Sequence, residues 1–268
     1  MKYSFMSFSC PELNLRAALK LALESGYTGF EPRIGCNHRH GIELDMSPTA
    51  IMVARAIAQD SGITLCCLAT SVQLASRARL RDNIEIARRA IEICAELGIP
   101  TLRLFGGPID EGMTRTAAIE QIAAALDMLS GEIGTADVRL CLETHDDWCE
   151  PAHVAAVMRL CKGSHVGVNW DVMHPVLTAH ASIQDAFGLL RPYIGHVHIH
   201  GGTRVNNKLE FRPISQSVID HRQALRALLD CSYDGFLSGE WIDWTEPDYL
   251  RRELATMLKY EEDLACTH

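Results

Sequence analysis

The sequence predicts an α/β protein, a closed (β/α)8 or TIM barrel that forms a single domain over residues 1–268. Apolar stretches of strand length alternate with segments of helical apolar period, and this unit occurs eight times. No linker or low-complexity stretch divides the chain. The rival architecture, an open doubly wound sheet, usually has a Gly-rich phosphate loop after its first strand, and the segment 9–12 has none.

The first four strand–helix pairs follow in order along the chain. An aromatic and apolar run over 3–9 predicts a strand, and the apolar period that stops at Gly26 predicts the helix after it. Ser47 and Pro48 are typical of an N-cap and a first helical turn, and Gly98 is typical of a helix end. The other strands of this half are predicted at 28–33, 63–69 and 101–105, and its other helices at 47–58, 79–97 and 114–129.

The second half of the chain continues the same alternation. Because parallel strands need long crossover connections, alternating strands and helices imply a parallel sheet. Eight such pairs in about 250 residues imply that the sheet closes into a barrel. The strands of this half are predicted at 138–144, 166–170, 196–200 and 235–239, and its helices at 151–160, 183–190, 218–229 and 247–264.

The composition is that of an ordinary soluble protein, with 47% hydrophobic and 22% charged residues. The chain contains neither an apolar run of membrane-spanning length nor the apolar region of a signal peptide, which predicts a cytoplasmic protein without a membrane partner. A formal net charge of −9 argues against nucleic-acid binding, which needs a clustered basic surface. The ten cysteines stand mostly in apolar contexts without a Cys-x-x-Cys spacing, so we expect reduced, mostly buried thiols.

Three histidines in the predicted seventh strand indicate a functional site. Successive strand residues point to opposite faces, so His196, His198 and His200 share one face while Val197 and Ile199 share the other. A single histidine in such a strand is commonly a core residue bonded to a backbone carbonyl. Three on one face, at the carboxyl end of a strand, favour a metal site.

Polar side chains also stand at the ends of the neighbouring strands. Glu143, Asp171 and Glu240 end the fifth, sixth and eighth strands, on either side of the histidines. Alone, each carboxylate would be an ordinary helix cap or solvated loop residue. Because barrel enzymes place their catalytic groups at the carboxyl ends of strands, four consecutive polar ends predict one shared site. Two Glu, one Asp and one imidazole suit a divalent ion, Mn²⁺, Mg²⁺ or Co²⁺, and could also hold Zn²⁺.

The motifs at these strand ends resemble the sugar phosphate isomerase/epimerase group, whose barrel is xylose-isomerase-like. The resemblance spans essentially the whole chain and is carried by Leu142-Glu143-Thr144-His145, Asn169-Trp170-Asp171-Val172-Met173-His174-Pro175, Gly195-His196-Val197-His198-Ile199-His200 and Gly239-Glu240-Trp241. It implies that the four metal ligands are Glu143, Asp171, His198 and Glu240.

The resemblance also implies residues that bind substrate. In the ketose 3-epimerases of the group, a substrate-binding His follows the ligand Asp by three positions, which is His174 here, and an Arg follows the ligand His by six, which is Arg204. The chain departs from the epimerases at Cys149, where they carry a further Glu, and at the segment 200–203 after the seventh strand.

The mechanism that these residues permit is proton transfer beside a carbonyl. A divalent ion that chelates a carbonyl and a neighbouring hydroxyl stabilises the enediolate left by loss of the intervening proton. Glu143 and Glu240 are the expected pair of proton-transfer groups, while Asp171 and His198 hold the ion. The expected function is a metal-dependent isomerase or epimerase of a small keto sugar or polyol-derived ketone, with a place in carbohydrate metabolism.

Several other polar residues are weaker candidates. Glu31 ends the second strand, where it could bind a substrate hydroxyl or pair with Arg33. His200 could reach substrate or lie solvated in a loop, and Trp148 is a candidate wall for a sugar face. His196 could support the metal ligands or lie lower in the barrel core. His38 and His40 lie in a polar loop that could cover the mouth of the barrel, although a solvent-exposed loop is the default there.

Three alternatives to an isomerase or epimerase stay open. A dehydratase acting on a related keto-polyol or dehydroshikimate-like substrate shares the first proton abstraction. An apurinic endonuclease would need more metal-binding histidines and a basic track, which the acidic balance opposes. A non-catalytic barrel could simply bind a polyol. The expected partner is thus a small sugar or polyol, and the resemblance implies a homodimer or homotetramer.

Overall fold

The computed structural model describes residues 1–206, 208–242, 244, 246 and 248–266. It confirms the predicted (β/α)8 barrel, in which a nearly closed parallel sheet is surrounded by helices. The strand order in the main sheet is β3-β2-β1-β11-β8-β7-β6-β5-β4. The strands are β1 (Lys2–Met6), β2 (Gly29–Glu31), β3 (Thr64–Leu65), β4 (Leu68–Gln73), β5 (Thr101–Phe105), β6 (Arg139–Glu143), β7 (Val166–Asp171), β8 (Ile194–Ile199), β9 (Gly201–Val205), β10 (Lys208–Arg212) and β11 (Phe236–Gly239).

The helices pack around this sheet with their apolar sides inward, as buried residues of α1 such as Ala18, Leu19 and Ala22 show. They are α1 (Leu15–Ser25), α2 (Pro48–Ser61), α3 (Leu80–Leu97), α4 (Arg115–Glu132), α5 (Pro151–Leu160), α6 (Met173–Thr178), α7 (Ile183–Leu190), α8 (His221–Asp230) and α9 (Tyr249–Ala265). The last helix was expected from Pro247, which lies outside the described residues. Among the described residues, no helix combines the length and apolarity needed to cross a membrane.

The predicted helix boundaries have the expected chemistry. The Ser47 side chain accepts a hydrogen bond from the backbone N–H of Ala50 at the start of α2, which satisfies one otherwise unpaired donor. Gly26 and Gly98 follow α1 and α3 with φ of 88° and 73°, a left-handed conformation that favours glycine.

The third barrel strand differs from its prediction as a single run over 63–69. It consists of two pieces, β3 and β4, interrupted at Cys66 and Cys67. β3 pairs with β2 while β4 pairs with β5, and a single parallel bridge between Arg33 and Ala69 joins the two sides. This break lets the third strand change its pairing partner where the barrel closes.

Two elements beyond the eight strand–helix pairs lie near the mouth of the barrel. β9 and β10 form an antiparallel ribbon in which Gly201 pairs with Arg212 and Val205 with Lys208, where the sequence predicts a loop. The short helix α6 begins at Met173, directly after β7. Both elements follow strands that end in predicted ligands, so they form walls beside the site.

Side chains on the barrel strands alternate between two environments. Leu140, Leu142, Val168 and Trp170 are fully buried on the side that faces the helices. The opposite side of the same strands is polar, and among its residues is Asp171, which is also fully buried. The polar side faces the barrel interior and positions the site.

Candidate active site

The structure brings the four predicted ligands together at the carboxyl ends of β6, β7, β8 and β11. Glu143, Asp171, His198 and Glu240 each offer one donor atom, and these atoms all lie within 4.8 Å of one another. The strand register explains the convergence, because Asp171 stands opposite His198 across β7 and β8, and Ser238 of β11 also stands opposite His198. Parallel strands in register deliver their ends to one rim of the barrel.

The donors at this rim fit a divalent cation. Oε2 of Glu143 is buried and accepts no hydrogen bond from any described residue, although it lies 3.3 Å from Nε of Arg103. Oδ1 of Asp171 accepts the backbone N–H groups of Met173 and His174, at 2.8 and 3.0 Å, which fixes the carboxylate. Three carboxylates and one imidazole around a small volume form the oxygen-rich donor set that Mn²⁺, Mg²⁺ or Co²⁺ prefers.

His198 is held from both sides. Its Nδ1 lies 2.7 Å from Oε1 of Glu143 and 3.7 Å from Oε2 of Glu240, and its Nε2 lies 3.0 Å from Oε1 of Glu31. Burial opposes the charged imidazolium, but the two carboxylates of Glu31 and Glu143 outweigh it and raise the pKa of His198. When Nε2–H donates to Glu31, the lone pair of Nδ1 faces the other three ligands.

Glu31 supports this arrangement from inside the barrel and does not line the mouth. It is fully buried, and its Oε2 lies 2.9 Å from Nε2 of His196. Burial alone would raise the pKa of Glu31, but His198 and His196 hold that pKa well below its ordinary value. Both carboxylate oxygens of Glu31 are engaged by these histidines, and its predicted contact with a substrate hydroxyl stays a prediction. The alternative pairing with Arg33 is wrong, since that guanidinium bonds to the Ile34 carbonyl and the Ser71 hydroxyl.

A row of histidines lies next to the metal set, which consists of Glu143, Asp171, His198 and Glu240. Nε2 of His200 lies 2.8 Å from Oδ2 of Asp171, and its ring stacks on Phe211 with centroids 5.5 Å apart. The His174 ring lies 5.5 Å from that of His200 and 4.2 Å from that of His145. Burial lowers the pKa of His174, while Asp171 opposes the effect, so its imidazole is mostly neutral at neutral pH. Both predicted substrate-binding histidines, 174 and 200, are thus adjacent to the predicted ligands.

Sequence reasoning missed two residues of the site, His145 and Arg103. Burial opposes a charge on His145, but Asp146, whose Oδ1 lies 2.8 Å from its Nδ1, and Glu143 raise its pKa to about 9. Arg103 is buried beside Glu143 and also bonds to the Thr70 carbonyl. A usable signal was present for Arg103, because a charged residue inside an apolar strand is unusual, and for His145, because it stands two residues after the strand-end Glu143.

Two predicted substrate contacts have other positions in the structure. The Trp148 ring is fully buried and its Nε1 donates to the Gly107 carbonyl at 2.9 Å, and its predicted role as a wall for a sugar stays a prediction. Arg204 is exposed on β9 of the ribbon rather than among the buried donors. Its predicted role in substrate binding stays a prediction.

Comparisons with known proteins agree with the fold. A family model described as the xylose isomerase-like TIM barrel matches residues 19–260. No curated protein matches the sequence significantly.

Many solved structures share this barrel, including three with the following measures. A probable 3-DHS dehydratase from Bacillus anthracis has a TM-score of 0.80 at 17% identity, covering 96% of this chain and 99% of that one. A 3-keto-D-glucoside 4-epimerase from E. coli has a TM-score of 0.76 at 16% sequence identity, covering 97% of this chain and 99% of that one. A xylose isomerase-like TIM barrel protein from Mycobacterium smegmatis in complex with magnesium has a TM-score of 0.76 at 15% sequence identity, covering 97% of this chain and 96% of that one. At these identities the likeness extends to the fold.

Proposed function

Because the chain belongs to the xylose isomerase-like TIM barrel family, we propose that it is a divalent-metal-dependent isomerase or epimerase of a small keto sugar or polyol-derived ketone. The observation that carries this proposal is the convergence of Glu143, Asp171, His198 and Glu240 at the carboxyl ends of neighbouring strands. The epimerases among the solved structures with this fold, such as the keto-glucoside enzyme, make the same class of reaction a reasonable proposal.

The four donors would hold the ion, with Asp171 and His198 as its fixed ligands. A bound divalent cation supplies Lewis-acid polarisation of a substrate carbonyl, which makes the neighbouring C–H more acidic. Burial raises the pKa of Glu143, but Arg103 and His198 outweigh it and lower that pKa to about 2, so the carboxylate is ionised and able to accept a proton.

Glu240 is the partner in proton transfer. In the sheet order, β8 and β7 separate β11 from β6, so the two glutamates stand on either side of His198 and Asp171. One carboxylate removes the proton, and the other delivers a proton to the opposite face of the same carbon or to the adjacent carbon. His174 and His200 lie beside Asp171, where they can hydrogen-bond to substrate hydroxyls.

The test is exchange of solvent deuterium into a panel of ketoses, followed by NMR with the Mn²⁺-loaded protein. We expect exchange into one substrate and its epimer or isomer. Glu143→Gln and Glu240→Gln should each lower the exchange rate by about a hundredfold or more. Glu210→Gln in the ribbon is the matched control and should leave the rate unchanged. Full activity in both site variants would contradict the proposal.

A dehydratase is the second candidate, and His145 is the observation that favours it. Expelling a hydroxyl as water needs a proton donor, and the His145 imidazole, paired with Asp146 at 2.8 Å and 4.2 Å from the His174 ring, lies where it can supply one. Loss of water from the substrate, with a new absorbance from the conjugated product, would identify this reaction. In that case His145→Gln should abolish turnover, whereas an epimerase would retain most of its exchange activity.

A further inference from the structure

The mouth of the barrel contains a second arginine, Arg33, with unusual surroundings. Only 6% of the residue is exposed. Its side chain bonds to two neutral groups, the Ile34 carbonyl and the Ser71 hydroxyl. Burial and the nearby charge of Arg103 lower the pKa of Arg33 to about 10, so it remains a cation at neutral pH. Arginines this deeply buried are normally paired with a carboxylate, because an uncompensated buried charge is costly.

Among the described residues, no carboxylate lies within ion-pair distance of Arg33, whereas Arg103 has one in Glu143. The other charges of the site are already balanced, which leaves none in the described part of the chain to pair with Arg33. A divalent cation together with Arg103 would offset the three carboxylates of the metal set, and Glu31 is held by two histidines. Among the described residues, Arg33 is left without a carboxylate that pairs with it directly.

The position of Arg33 relative to the metal set follows from the strand. The backbone stays extended after β2, since Arg33 forms a parallel bridge with Ala69. Glu31 and Arg33 therefore share the inward face, with Arg33 about 7 Å nearer the mouth. Because Glu31 contacts His198, Arg33 stands one step above the level of the metal ligands, and β1 separates its strand from β11. Glu143 and Glu240 both contribute to its electrostatic surroundings.

The mouth thus has an acidic wall, formed by the metal ligands on β6, β7, β8 and β11, and a cationic wall at Arg33. We propose that Arg33 binds an anionic group on the substrate, so that the substrate of this site is a carboxylated or phosphorylated keto sugar or keto-polyol. The inference rests on the proposed function for the keto-polyol part, and on the uncompensated buried guanidinium for the anionic group. A guanidinium suits both carboxylates and phosphates, since its planar fork can donate two hydrogen bonds to either.

The experiment measures binding without turnover. The Mn²⁺-loaded protein is titrated calorimetrically with D-fructose, D-fructose 6-phosphate and 2-keto-D-gluconate. One charge-assisted hydrogen-bonded pair should make at least one anionic probe bind about tenfold or more tightly than the neutral ketose, and added NaCl should weaken that preference. Whichever anionic probe binds better identifies the anionic group as a phosphate or a carboxylate.

A pair of variants assigns the preference to Arg33. Arg33→Gln should bring the affinity for the anionic probes to within about twofold of that for D-fructose, because the charge-assisted bond is lost. Arg79→Gln removes an exposed charge from the neighbouring α3 boundary and should leave the preference intact. The thermal midpoint of each variant checks that it is folded, and the comparison of probes on the unaltered protein does not depend on either variant.

The outcomes separate this inference from the proposed function. Equal affinity for the neutral and anionic probes, or a preference that survives Arg33→Gln, would overturn the anion-binding role even if neutral ketoses are epimerised. A preference for anions that depends on Arg33 would support it even if no ketose exchanges deuterium, in which case only the proposed reaction fails.

Discussion

Glu31 connects the barrel interior to His198, one of the proposed metal ligands. It is fully buried, and its two oxygens lie 3.0 Å from His198 and 2.9 Å from His196. A carboxylate that accepts from the far nitrogen of a metal-binding imidazole fixes the ring orientation and increases its basicity. Glu31 is therefore a positioning residue for His198.

Glu31→Gln should weaken Mn²⁺ binding by roughly 10- to 100-fold, because an amide holds the two imidazoles less strongly and in less defined tautomers. Calorimetric titration with Mn²⁺ measures this directly, independently of any activity. The exposed Glu12→Gln serves as the control and should bind like the unaltered protein. An unchanged Mn²⁺ affinity in a folded Glu31→Gln protein would mean that His198 is oriented by other contacts.

Two buried histidines outside the metal set should make stability depend on pH. His40 bonds to the Arg33 carbonyl and the Ile42 N–H, and His221 lies 3.1 Å from the His200 carbonyl. Burial lowers the pKa of each to about 4. Between pH 6.5 and about 4 these histidines are protonated in the unfolded chain but not in the folded chain. The free energy of unfolding therefore decreases as the pH is lowered through this window.

The loss should reach on the order of 3 kcal/mol for each histidine once the pH is below 4. Urea unfolding of the unaltered protein and His40→Gln at pH 7.5, 5.5 and 4.5 tests this. The variant should be less stable at pH 7.5, with the difference shrinking as the pH falls. His180→Asn, at an exposed position, should lose stability with pH in parallel with the unaltered protein. A constant difference between the unaltered protein and His40→Gln would show that His40 does not contribute.

At the scale of the elements, two glycines should respond oppositely to alanine. Gly98 ends α3 at φ 73°, and Gly188 lies within α7 without a positive φ. An added Cβ would meet no atom within 4 Å at either position, so the backbone conformation decides the effect. Gly98→Ala should cost about 1 kcal/mol, and Gly188→Ala should add about 0.5–1 kcal/mol. The two variants carry the same substitution, and urea unfolding measures both. A change in the free energy of unfolding of the same sign in both variants would contradict this explanation.

Most elements could be predicted from the sequence because their signals are local. The apolar period and the caps define α3 and α7 to within a residue or two. The ribbon of β9 and β10 was missed although β10 alternates apolar and charged residues, because this run is only five residues long and its partner β9 begins with two glycines and has no apolar alternation. The break of the third strand at Cys66 and Cys67 reflects barrel closure, a tertiary constraint with no local signal.

At the scale of the whole molecule, topology explains which parts of the site were predictable. A parallel barrel brings successive strand ends to one rim, so Glu143, Asp171, Glu240 and a histidine of the seventh strand were expected to converge, and the resemblance to the family singled out His198. The contact between Glu31 and His196 was not, because β1 and β11 separate their strands in the sheet and the two side chains meet inside the barrel. Which inward side chains meet there depends on side-chain length and strand tilt, and the apolar periodicity of the sequence specifies neither.

The same rim should couple metal binding to the stability of the entire barrel. The four proposed ligands come from four strands of the second half of the chain, so an ion bound there would have affinity for the folded state that the unfolded chain lacks. At a hundredfold excess over the dissociation constant, binding stabilises the fold by about 2.7 kcal/mol. For a chain of this size, the thermal midpoint should rise by on the order of 5 °C.

Differential scanning calorimetry of EDTA-treated protein, with and without Mn²⁺, Mg²⁺, Co²⁺ or Zn²⁺, measures this shift and ranks the ions. Glu240→Gln is the matched variant, because its side chain is 12% exposed, the most accessible of the four ligands, and its replacement disturbs the core least. It should retain the midpoint of the EDTA-treated protein and lose most of the rise on adding Mn²⁺. If no ion raises the midpoint of the unaltered protein, the converging carboxylates do not form a cation site, and the proposed reaction has no Lewis acid.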